Sequence, residues 1–321
     1  MHYLVTGCAG FVGSHWVDHA LTLGHQVTGI DNFTTGFPEH LQLAKEHPNF
    51  RLLTGDILEP SAIQTAMEGI EHVFHFAANA DIRFGLEQPD RDLKQNTIAT
   101  FNVLEAMRLH KVTKITFAST GAIYGDAEQH PTKENTAFPT QTSLYGASKL
   151  AAEGLIQAYS HGYGISAAIF RFVSLTGQRY SHGHIYDFCK QLFENPNKLN
   201  VLGNGLQRKS YLHVLDCMQG LELGSQHMTS GSLDVYNLGL PASCLVNDSI
   251  EWICQELQLS PKLSYSGGER GWVGDSPFIL LDIEKIQSLG FKPKYQLSDG
   301  IKDTVRYLKN NQWLFDRRSS K

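Results

Sequence analysis

The stretch that decides the fold is residues 3–13, which read YLVTGCAGFVG. It opens with an apolar and β-branched run that is typical of a buried strand, and a glycine-rich turn follows at once. The glycines recur at intervals of three residues: Gly7, Gly10 and Gly13. Such a turn reverses the chain tightly, lets the backbone approach a pyrophosphate and lets the next helix pack closely on the strand. Because residues 11–23 are helix-like, the sequence predicts the start of a dinucleotide-binding unit.

The end of the next predicted strand carries an acidic residue, Asp31. Residues 26–30 read QVTGI, a short run that is typical of a second strand. A carboxylate at that position accepts hydrogen bonds from both ribose hydroxyls and repels a 2′-phosphate. The sequence therefore favours NAD over NADP as the cofactor.

Composition and charge narrow the range of partners. The 321-residue chain has a net charge of -5, from 27 basic and 32 acidic residues, and it lacks a basic run. Nucleic acid and an anionic membrane are therefore poor partners. Five scattered cysteines without a Cys-x-x-Cys pair indicate a reducing compartment and no structural zinc. Since the glycine turn starts close to Met1 and no apolar stretch has the length of a membrane span, we expect a cytoplasmic protein.

Strand-like and helix-like segments alternate through residues 1–172. The strand-like runs show little polar alternation, as expected of strands that are buried on both faces. Beyond the first two, the predicted strands span 50–56, 73–78, 114–119 and 167–172. The longer predicted helices span 93–110 and 145–163. The pattern predicts an α/β fold with a doubly wound parallel Rossmann sheet, and an NAD-binding domain over residues 1–172.

Glycine and proline break the chain into short pieces after residue 172. We expect residues 173–321 to form mainly a smaller C-terminal lobe that binds the substrate. A segment near 233–246 is expected to return to the sheet, and residues 317–321 are expected to fray.

A tyrosine and a lysine four residues apart, Tyr145 and Lys149, stand at the start of a predicted helix. That spacing places both side chains on one face, one turn apart. A tyrosine with a pKa of about 10 is a poor base at neutral pH, but a nearby lysine cation and the positive nicotinamide ring favour its phenolate. Surface pairs of this kind are common. This pair gains weight from Thr120, which follows a predicted strand where a doubly wound fold presents its site.

With these motifs the chain resembles the extended short-chain dehydrogenase/reductase family. Within that family it is most similar to the nucleotide-sugar epimerase/dehydratase branch, which includes the UDP-glucose 4-epimerases. The resemblance covers nearly the whole chain. It is carried by the glycine turn, the acid after the second strand, and motifs at 55–57, 75–78, 96–97, 145–149 and 207–216.

The resemblance implies a role for individual residues. Tyr145 is implied to be the catalytic base, Lys149 to hold the nicotinamide ribose and tune Tyr145, and Thr120 to bond the reacting hydroxyl. The implied NAD-binding set also includes Gly7, Gly10, Phe11, Val12, Gly13, Asp31, Asn32, Asp56, Ile57, Phe76, Ala77, Ala78 and Asn96. For the last of these, a helix-capping role is an equally good interpretation.

The dipeptide after Thr120, Gly121-Ala122, favours one reaction type within the resemblance. Nucleotide-sugar 4,6-dehydratases usually carry Asp-Glu there, and UDP-glucuronate decarboxylases usually carry Glu at the second position. Neither residue of this chain can move a proton. A 4-epimerase needs no such group, because it oxidises and reduces the same carbon.

The substrate-binding positions depart in part from the pattern of the resembled family. Ser174 stands where the family often has an Asn, and Lys209 stands where many relatives have a phosphate-binding Arg. Arg270 matches a second diphosphate-binding Arg. Arg83 follows a cofactor-lining strand, and contact with the substrate or a surface ion pair are equally open. His182 and His184 lack an accompanying Asp, Glu or Cys cluster, so a loop role is expected rather than a metal site.

These observations together predict an NAD-dependent nucleotide-sugar 4-epimerase that forms a 4-keto intermediate. Its expected substrate is a UDP-sugar, by the default of the resembled family, and the expected assembly is a homodimer through the helices at 93–110 and 145–163. The alternatives are a dehydratase or reductase of the same family, or a non-catalytic NAD-binding regulatory protein.

Overall fold

The computed structural model describes residues 1–79, 87–137, 140–271, 275–276 and 278–319. Within them, seven strands form one sheet: β1 (His2–Thr6), β2 (Gln26–Asp31), β3 (Phe50–Thr54), β4 (His72–His75), β5 (Lys114–Thr120), β6 (Ser166–Phe172) and β11 (Leu233–Leu238). Their order in the sheet is β11-β6-β5-β4-β1-β2-β3. β1 pairs in parallel with β2 and β4, and parallel pairing continues to β3 and β5. The doubly wound parallel sheet is thus confirmed.

The rest of the described chain contains short strands, helices and the loops that connect them. The short strands are β7 (Ser174–Thr176), β8 (Lys198–Val201), β9 (Arg208–Lys209), β10 (Tyr211–His213), β12 (Cys244–Leu245) and β13 (Lys262–Tyr265). The longer α-helices are Phe11–Thr22, Ala99–His110, Leu144–Tyr163, His184–Glu194, Val214–Gln226, Val246–Leu257 and Leu297–Asn310. The shorter ones are Gln42–Lys45, Pro60–Ala66, Pro89–Asp92, Glu284–Ser288 and Trp313–Ser319. Residues Pro38–Leu41 and Gly121–Tyr124 form 3₁₀ turns, and Leu93–Ile98 is π-helical.

Contacts within the chain divide it into two compact units. The first consists of Met1–Ile123, Leu144–Arg171 and Met218–Tyr236, and the second of Tyr124–Ser143, Phe172–Cys217 and Asn237–Lys321. β11, which the sequence analysis expected to return to the sheet, forms its edge beside β6. The assignment of cofactor and substrate to separate parts of the chain stays a prediction.

Burial of apolar strands and helix faces holds the first unit together. One cluster joins the sheet to the flanking helices, and its fully buried members include Leu4, Val103, Ile115, Ile156 and Ile169. β6 is buried along its whole length, which explains why its sequence shows no polar alternation. A side chain of this size contributes roughly 1.5–3 kcal/mol when it is fully buried, so the cluster is a major source of stability.

Some sequence expectations were wrong in detail. The helix predicted over 93–110 begins as the π-helical segment Leu93–Ile98, and the predicted frayed end includes Arg317 and Arg318, which belong to the helix Trp313–Ser319. His184 begins a helix rather than lying in a loop. In the described part of the chain, no helix is long and apolar enough to span a membrane.

Candidate functional site

The glycine turn leaves no space for side chains at its first and third glycines. Gly7 has a φ of +67°, and a Cβ atom there would lie 2.7 Å from the Cα atom of Ala77. A Cβ atom on Gly13 would lie 2.1 Å from the carbonyl oxygen of Gly7. On Gly10 it would meet only that same oxygen, at 3.2 Å, within the described residues. The helix Phe11–Thr22 has no side-chain cap and no acidic residue in its first turn. Its N-terminus therefore fits a pyrophosphate.

Asp31 is the last residue of β2 and lies beside this turn. Its carboxylate accepts a hydrogen bond of 2.9 Å from the amide of Ala9 and one of 2.8 Å from the amide of Phe33. The side chain thus ties the glycine turn to the loop after β2. Each carboxylate oxygen has more than one acceptor lone pair, so the residue also fits a ribose.

Asn32 and Asp56 lie together after the adjacent strands β2 and β3. The amide of Asn32 donates a hydrogen bond of 2.9 Å to Asp56, whose other oxygen accepts one of 2.9 Å from the amide of Leu58. Ile57, which follows Asp56 in the chain, is buried. The structure thus brings Asn32, a predicted cofactor ligand, next to Asp56, which was predicted to contact the adenine.

The residues after β4 are tied to the end of β1. Ala77 donates a hydrogen bond of 3.2 Å from its amide to the hydroxyl of Thr6, which also bonds His75 at 2.7 Å. Phe76, Ala77 and Ala78 are half-buried. These three residues therefore lie next to the glycine turn, where a bound dinucleotide would pass.

Three side chains that the sequence analysis singled out meet at the end of β5. The hydroxyl of Thr120 accepts a hydrogen bond of 3.1 Å from the amide of Ala122 and hydrogen-bonds with the phenol of Tyr145. One turn further along the helix Leu144–Tyr163, the Nζ atom of Lys149 donates a hydrogen bond of 2.9 Å to the carbonyl oxygen of Ala118. The same ammonium lies 4.6 Å from the ring centroid of Phe117. The predicted one-face arrangement is present.

Burial opposes charge on both titratable groups of this trio. Desolvation raises the pKa of Tyr145 to about 12; the hydrogen bond from Thr120 lowers that pKa and the carboxylate of Asp92 raises it. Desolvation lowers the pKa of Lys149 to about 7, against the carboxylates of Glu153 and Asp92, which raise it. A phenolate here therefore depends on further positive charge close by.

Asn96 lies inside the π-helical segment and does not cap a helix, so the capping interpretation was wrong. Its side chain accepts a hydrogen bond of 2.9 Å from the amide of Asn79 and donates one of 2.9 Å to the hydroxyl of Ser148. It thereby connects the chain after β4 to the helix that carries Tyr145 and Lys149. π-Helical segments are often found at functional sites.

The second unit brings two predicted phosphate-binding residues to one aspartate. Lys209 forms an ion pair of 2.7 Å with the carboxylate of Asp275, and Arg270 donates a hydrogen bond to its backbone carbonyl. Arg270 also pairs with Asp126, at 2.6 Å. Ser174 is exposed at the start of β7.

Two other sequence predictions have different outcomes. Arg83 lies outside the described residues. His184 hydrogen-bonds with Ser249 and with Tyr211, each at 3.1 Å. Across the ranges that the structure describes, no group of His, Cys, Asp and Glu side chains could hold a metal ion.

Sequence reasoning missed several polar groups that lie close to the predicted residues within each unit. Glu153 stands four residues after Lys149, so helical spacing was a usable signal for it. Asp92, Asn79 and Asp275 gave no such signal, because only the folded chain brings them to their partners.

Comparison with known proteins identifies the family. A model of the NAD dependent epimerase/dehydratase family matches residues 3–239, about three quarters of the chain. The chain belongs to this family. Its cofactor is NAD, consistent with the glycine turn and Asp31, and it is a nucleotide-sugar epimerase or a related enzyme.

Similar proteins carry more than one activity. A putative UDP-glucose 4-epimerase from Methanocaldococcus jannaschii is 33% identical over 96% of this chain and 98% of its own length. UDP-glucuronic acid decarboxylase 1 from Xenopus tropicalis is 31% identical over 97% of this chain and 74% of its own length. A Bacillus cereus UDP-glucuronic acid 4-epimerase, solved with UDP-glucuronic acid and NAD, superimposes with a TM-score of 0.89 at 26% identity, covering 97% of this chain and 99% of that one.

Proposed function

We propose that this protein is an NAD-dependent 4-epimerase of UDP-sugars. The observation that carries the proposal is the trio Thr120, Tyr145 and Lys149 at the end of β5, followed by two residues, Gly121 and Ala122, that cannot transfer protons. Such a site supports oxidation and reduction at one carbon, and it lacks groups for elimination at a neighbouring carbon.

Tyr145 is the proposed base and acid. Its phenolate takes the proton of the sugar 4-hydroxyl as C4 is oxidised, and its phenol returns that proton when the 4-keto group is reduced on the opposite face. Thr120 hydrogen-bonds with Tyr145, so its hydroxyl is placed to bridge this proton transfer.

Lys149 supplies positive charge beside the phenol. Its ammonium is anchored on the carbonyl of Ala118 and the ring of Phe117, which fixes its position one helical turn from Tyr145. Burial raises the pKa of Tyr145 and so opposes its phenolate form. The positive charges of Lys149 and of an oxidised nicotinamide act against this effect and favour the phenolate.

NAD⁺, when bound, supplies the hydride acceptor and donor that the side chains of this chain lack. The amides of Phe11 and Val12 are the proposed pyrophosphate donors at the helix start. Asp31 is the proposed acceptor of the ribose hydroxyls, and Asp56 and Ile57 are proposed to contact the adenine. Phe76, Ala77, Ala78 and Asn96 would line or support the nicotinamide side.

The side chains next to Thr120 argue against two related reactions. A dehydratase must remove the C5 proton and protonate the departing C6 hydroxyl, and Gly121 and Ala122 have no group that does either. The same absence, at Ala122, distinguishes this chain from the pattern of UDP-glucuronate decarboxylases. Epimerisation at C4 needs no further acid or base.

Two cations of the second unit are the proposed diphosphate ligands. Lys209 and Arg270 are paired with Asp275 and Asp126, so a diphosphate would exchange for these carboxylates rather than meet unpaired charges. Ser174 and Arg83 are proposed to contact the substrate. UDP is favoured because the similar epimerases named above act on or bind UDP-sugars.

A homodimer is the proposed assembly. Two neighbouring helical stretches, Leu93–Ile98 with Ala99–His110 and the helix Leu144–Tyr163, expose large apolar side chains. These are Leu93, Ile98, Phe101, Leu109, Leu144 and Tyr163, each between 41% and 58% exposed. A twofold axis that paired these helices with their copies would bury this surface.

A conversion assay without added cofactor tests the function. Protein purified without added cofactor is incubated with single UDP-sugars, including UDP-glucose and UDP-glucuronic acid, and the products are identified by NMR. We expect interconversion of C4 epimers without added NAD and without net formation of NADH. Net NADH production, or a product altered at another carbon, would contradict the proposal.

A further inference from the structure

A buried carboxylate lies beneath the trio of Thr120, Tyr145 and Lys149. Glu153 is fully buried and forms a two-point ion pair with Arg171 of β6, which is itself only 2% exposed. The two contacts measure 2.7 Å to Nη2 and 3.1 Å to Nε. The hydroxyl of Ser119 donates a third hydrogen bond to the same carboxylate.

This network reaches the site through two covalent connections. Ser119 lies between Ala118, whose carbonyl anchors Lys149, and Thr120, which hydrogen-bonds with Tyr145. Glu153 itself follows Lys149 by four residues on one helix, so the two side chains lie on the same face. A single carboxylate therefore holds the end of β5 and lies near the ammonium that the site depends on.

A buried ion pair is a weak source of stability, because desolvation of both partners offsets much of their attraction. Apolar residues of similar size often stabilise such a position equally well. The location of this pair therefore points to a role in the site rather than in the core.

Several charged or titratable side chains act on Lys149 from the elements around it. They are His75 at the end of β4, Asp92 of the helix Pro89–Asp92, and Glu153 of its own helix, on which Tyr145 lies one turn before Lys149. Burial keeps His75 neutral, since its pKa is lowered to about 3. The negative charges are thus Asp92 and Glu153, and the influence of Glu153 on Lys149 is the larger.

We propose that Glu153 is a positioning residue that keeps Lys149 in its cationic form and, through Ser119, fixes Ala118 and Thr120 in their working positions. Arg171 orients the carboxylate for both tasks. The proposal rests on the proposed function of Tyr145 and Lys149, but its first test does not require turnover.

The direct test is an NMR titration of Lys149 in protein with ¹³Cε-labelled lysine, with the signal assigned from Lys149→Met. In Glu153→Gln we expect the titration midpoint of Lys149 to fall by about one pH unit, the lower end of the effect of a nearby opposite charge. An unchanged midpoint would overturn the proposal. Glu256→Gln, which breaks an exposed Glu–Arg pair with Arg306, is the matched control and is expected to leave the midpoint unchanged.

Two further variants separate charge from folding and position. Glu153→Gln/Arg171→Met leaves neither buried charge without its partner, so it is the alternative if the single variant does not fold; a lower Lys149 midpoint is again expected. Ser119→Ala keeps the charge and loses one contact, so we expect a lower kcat with an unchanged midpoint. A wild-type kcat in Ser119→Ala would overturn the positioning role of the network.

The outcomes also separate this proposal from the proposed function. If wild-type protein converts no UDP-sugar, the epimerase proposal fails, whereas the titration of Lys149 still decides whether Glu153 sets its charge. If conversion is observed and the midpoint does not move in Glu153→Gln, only the role of Glu153 fails.

Discussion

The ammonium of Lys149 donates its hydrogen bond to the carbonyl oxygen of Ala118, two residues before Thr120, at 2.9 Å. The strand that presents Thr120 therefore also anchors the lysine beside Tyr145. Helix and strand thus hold the trio in one arrangement.

Tyr145→Phe is expected to lower turnover by roughly 10²–10⁴-fold, the usual effect of losing a general acid–base group, while the fold and the bound NAD are retained. Turnover, circular dichroism and cofactor content measure the three properties. Tyr163→Phe, on the same helix, keeps the aromatic ring that the proposed dimer contact uses, so it is the matched control and should stay near wild type. Turnover of Tyr145→Phe within a factor of a few of wild type would rule out the assignment.

Lys149→Met is expected to lower turnover about 10²-fold or more and, at neutral pH, to raise Tm. Burial lowers the pKa of Lys149 to about 7 from its ordinary value of 10.5, so the unfolded chain binds more protons between these pH values. Wild-type stability therefore rises with pH across that window. The advantage of Lys149→Met should be largest below pH 7 and shrink towards pH 10.5. If the difference in Tm between Lys149→Met and the wild type were the same at every pH in this range, the burial argument would be contradicted.

Asp31 is expected to select NAD. Asp31→Asn removes the charge and should weaken NAD binding roughly 10- to 150-fold, which corresponds to the about 1.5–3 kcal/mol of hydrogen bonds to a charged group. It should also relax discrimination against NADP. Asp31→Ala also loses the acceptors of the Ala9 and Phe33 amides, so a larger loss is expected. Calorimetry with both cofactors measures these effects. A wild-type preference for NADP would contradict this role.

The exposed apolar side chains on the two helical stretches predict a dimer. Light scattering of wild-type protein at micromolar concentration should give twice the chain mass of 35.8 kDa. Phe101→Glu places a charge in the proposed contact and should give monomers, whereas Leu43→Glu, at a side chain that is 74% exposed elsewhere, should not. A monomeric wild-type protein would exclude this assembly.

The sequence was most informative where local chemistry determines structure. The glycine turn, the position of Asp31 at the end of β2, and the one-turn spacing of Tyr145 and Lys149 each depend on neighbours in the chain, and the structure has them as predicted. A segment near 233–246 was expected to return to the sheet, and its first part, Leu233–Leu238, does so as β11.

Contacts between residues that are distant in the chain could not be predicted from the sequence. The sequence left a capping role possible for Asn96, and only its hydrogen bonds to Asn79 and Ser148 decide against that role. The spacing of Glu153 and Arg171 in the sequence does not predict their ion pair. Lys209 and Arg270 were predicted as phosphate ligands, but their carboxylate partners, distant in sequence, appear only in the fold.

The most direct test of the central claim is epimerisation in deuterated water. Wild-type protein is incubated with a UDP-sugar that it converts, and the product is examined by NMR and mass spectrometry. Because the proposed reaction opens only C4 and returns the same hydride to it, the product should be the C4 epimer with its C6 group intact and no deuterium on carbon. A 4-keto-6-deoxy product, or deuterium at C5 or C6, would contradict the epimerase account.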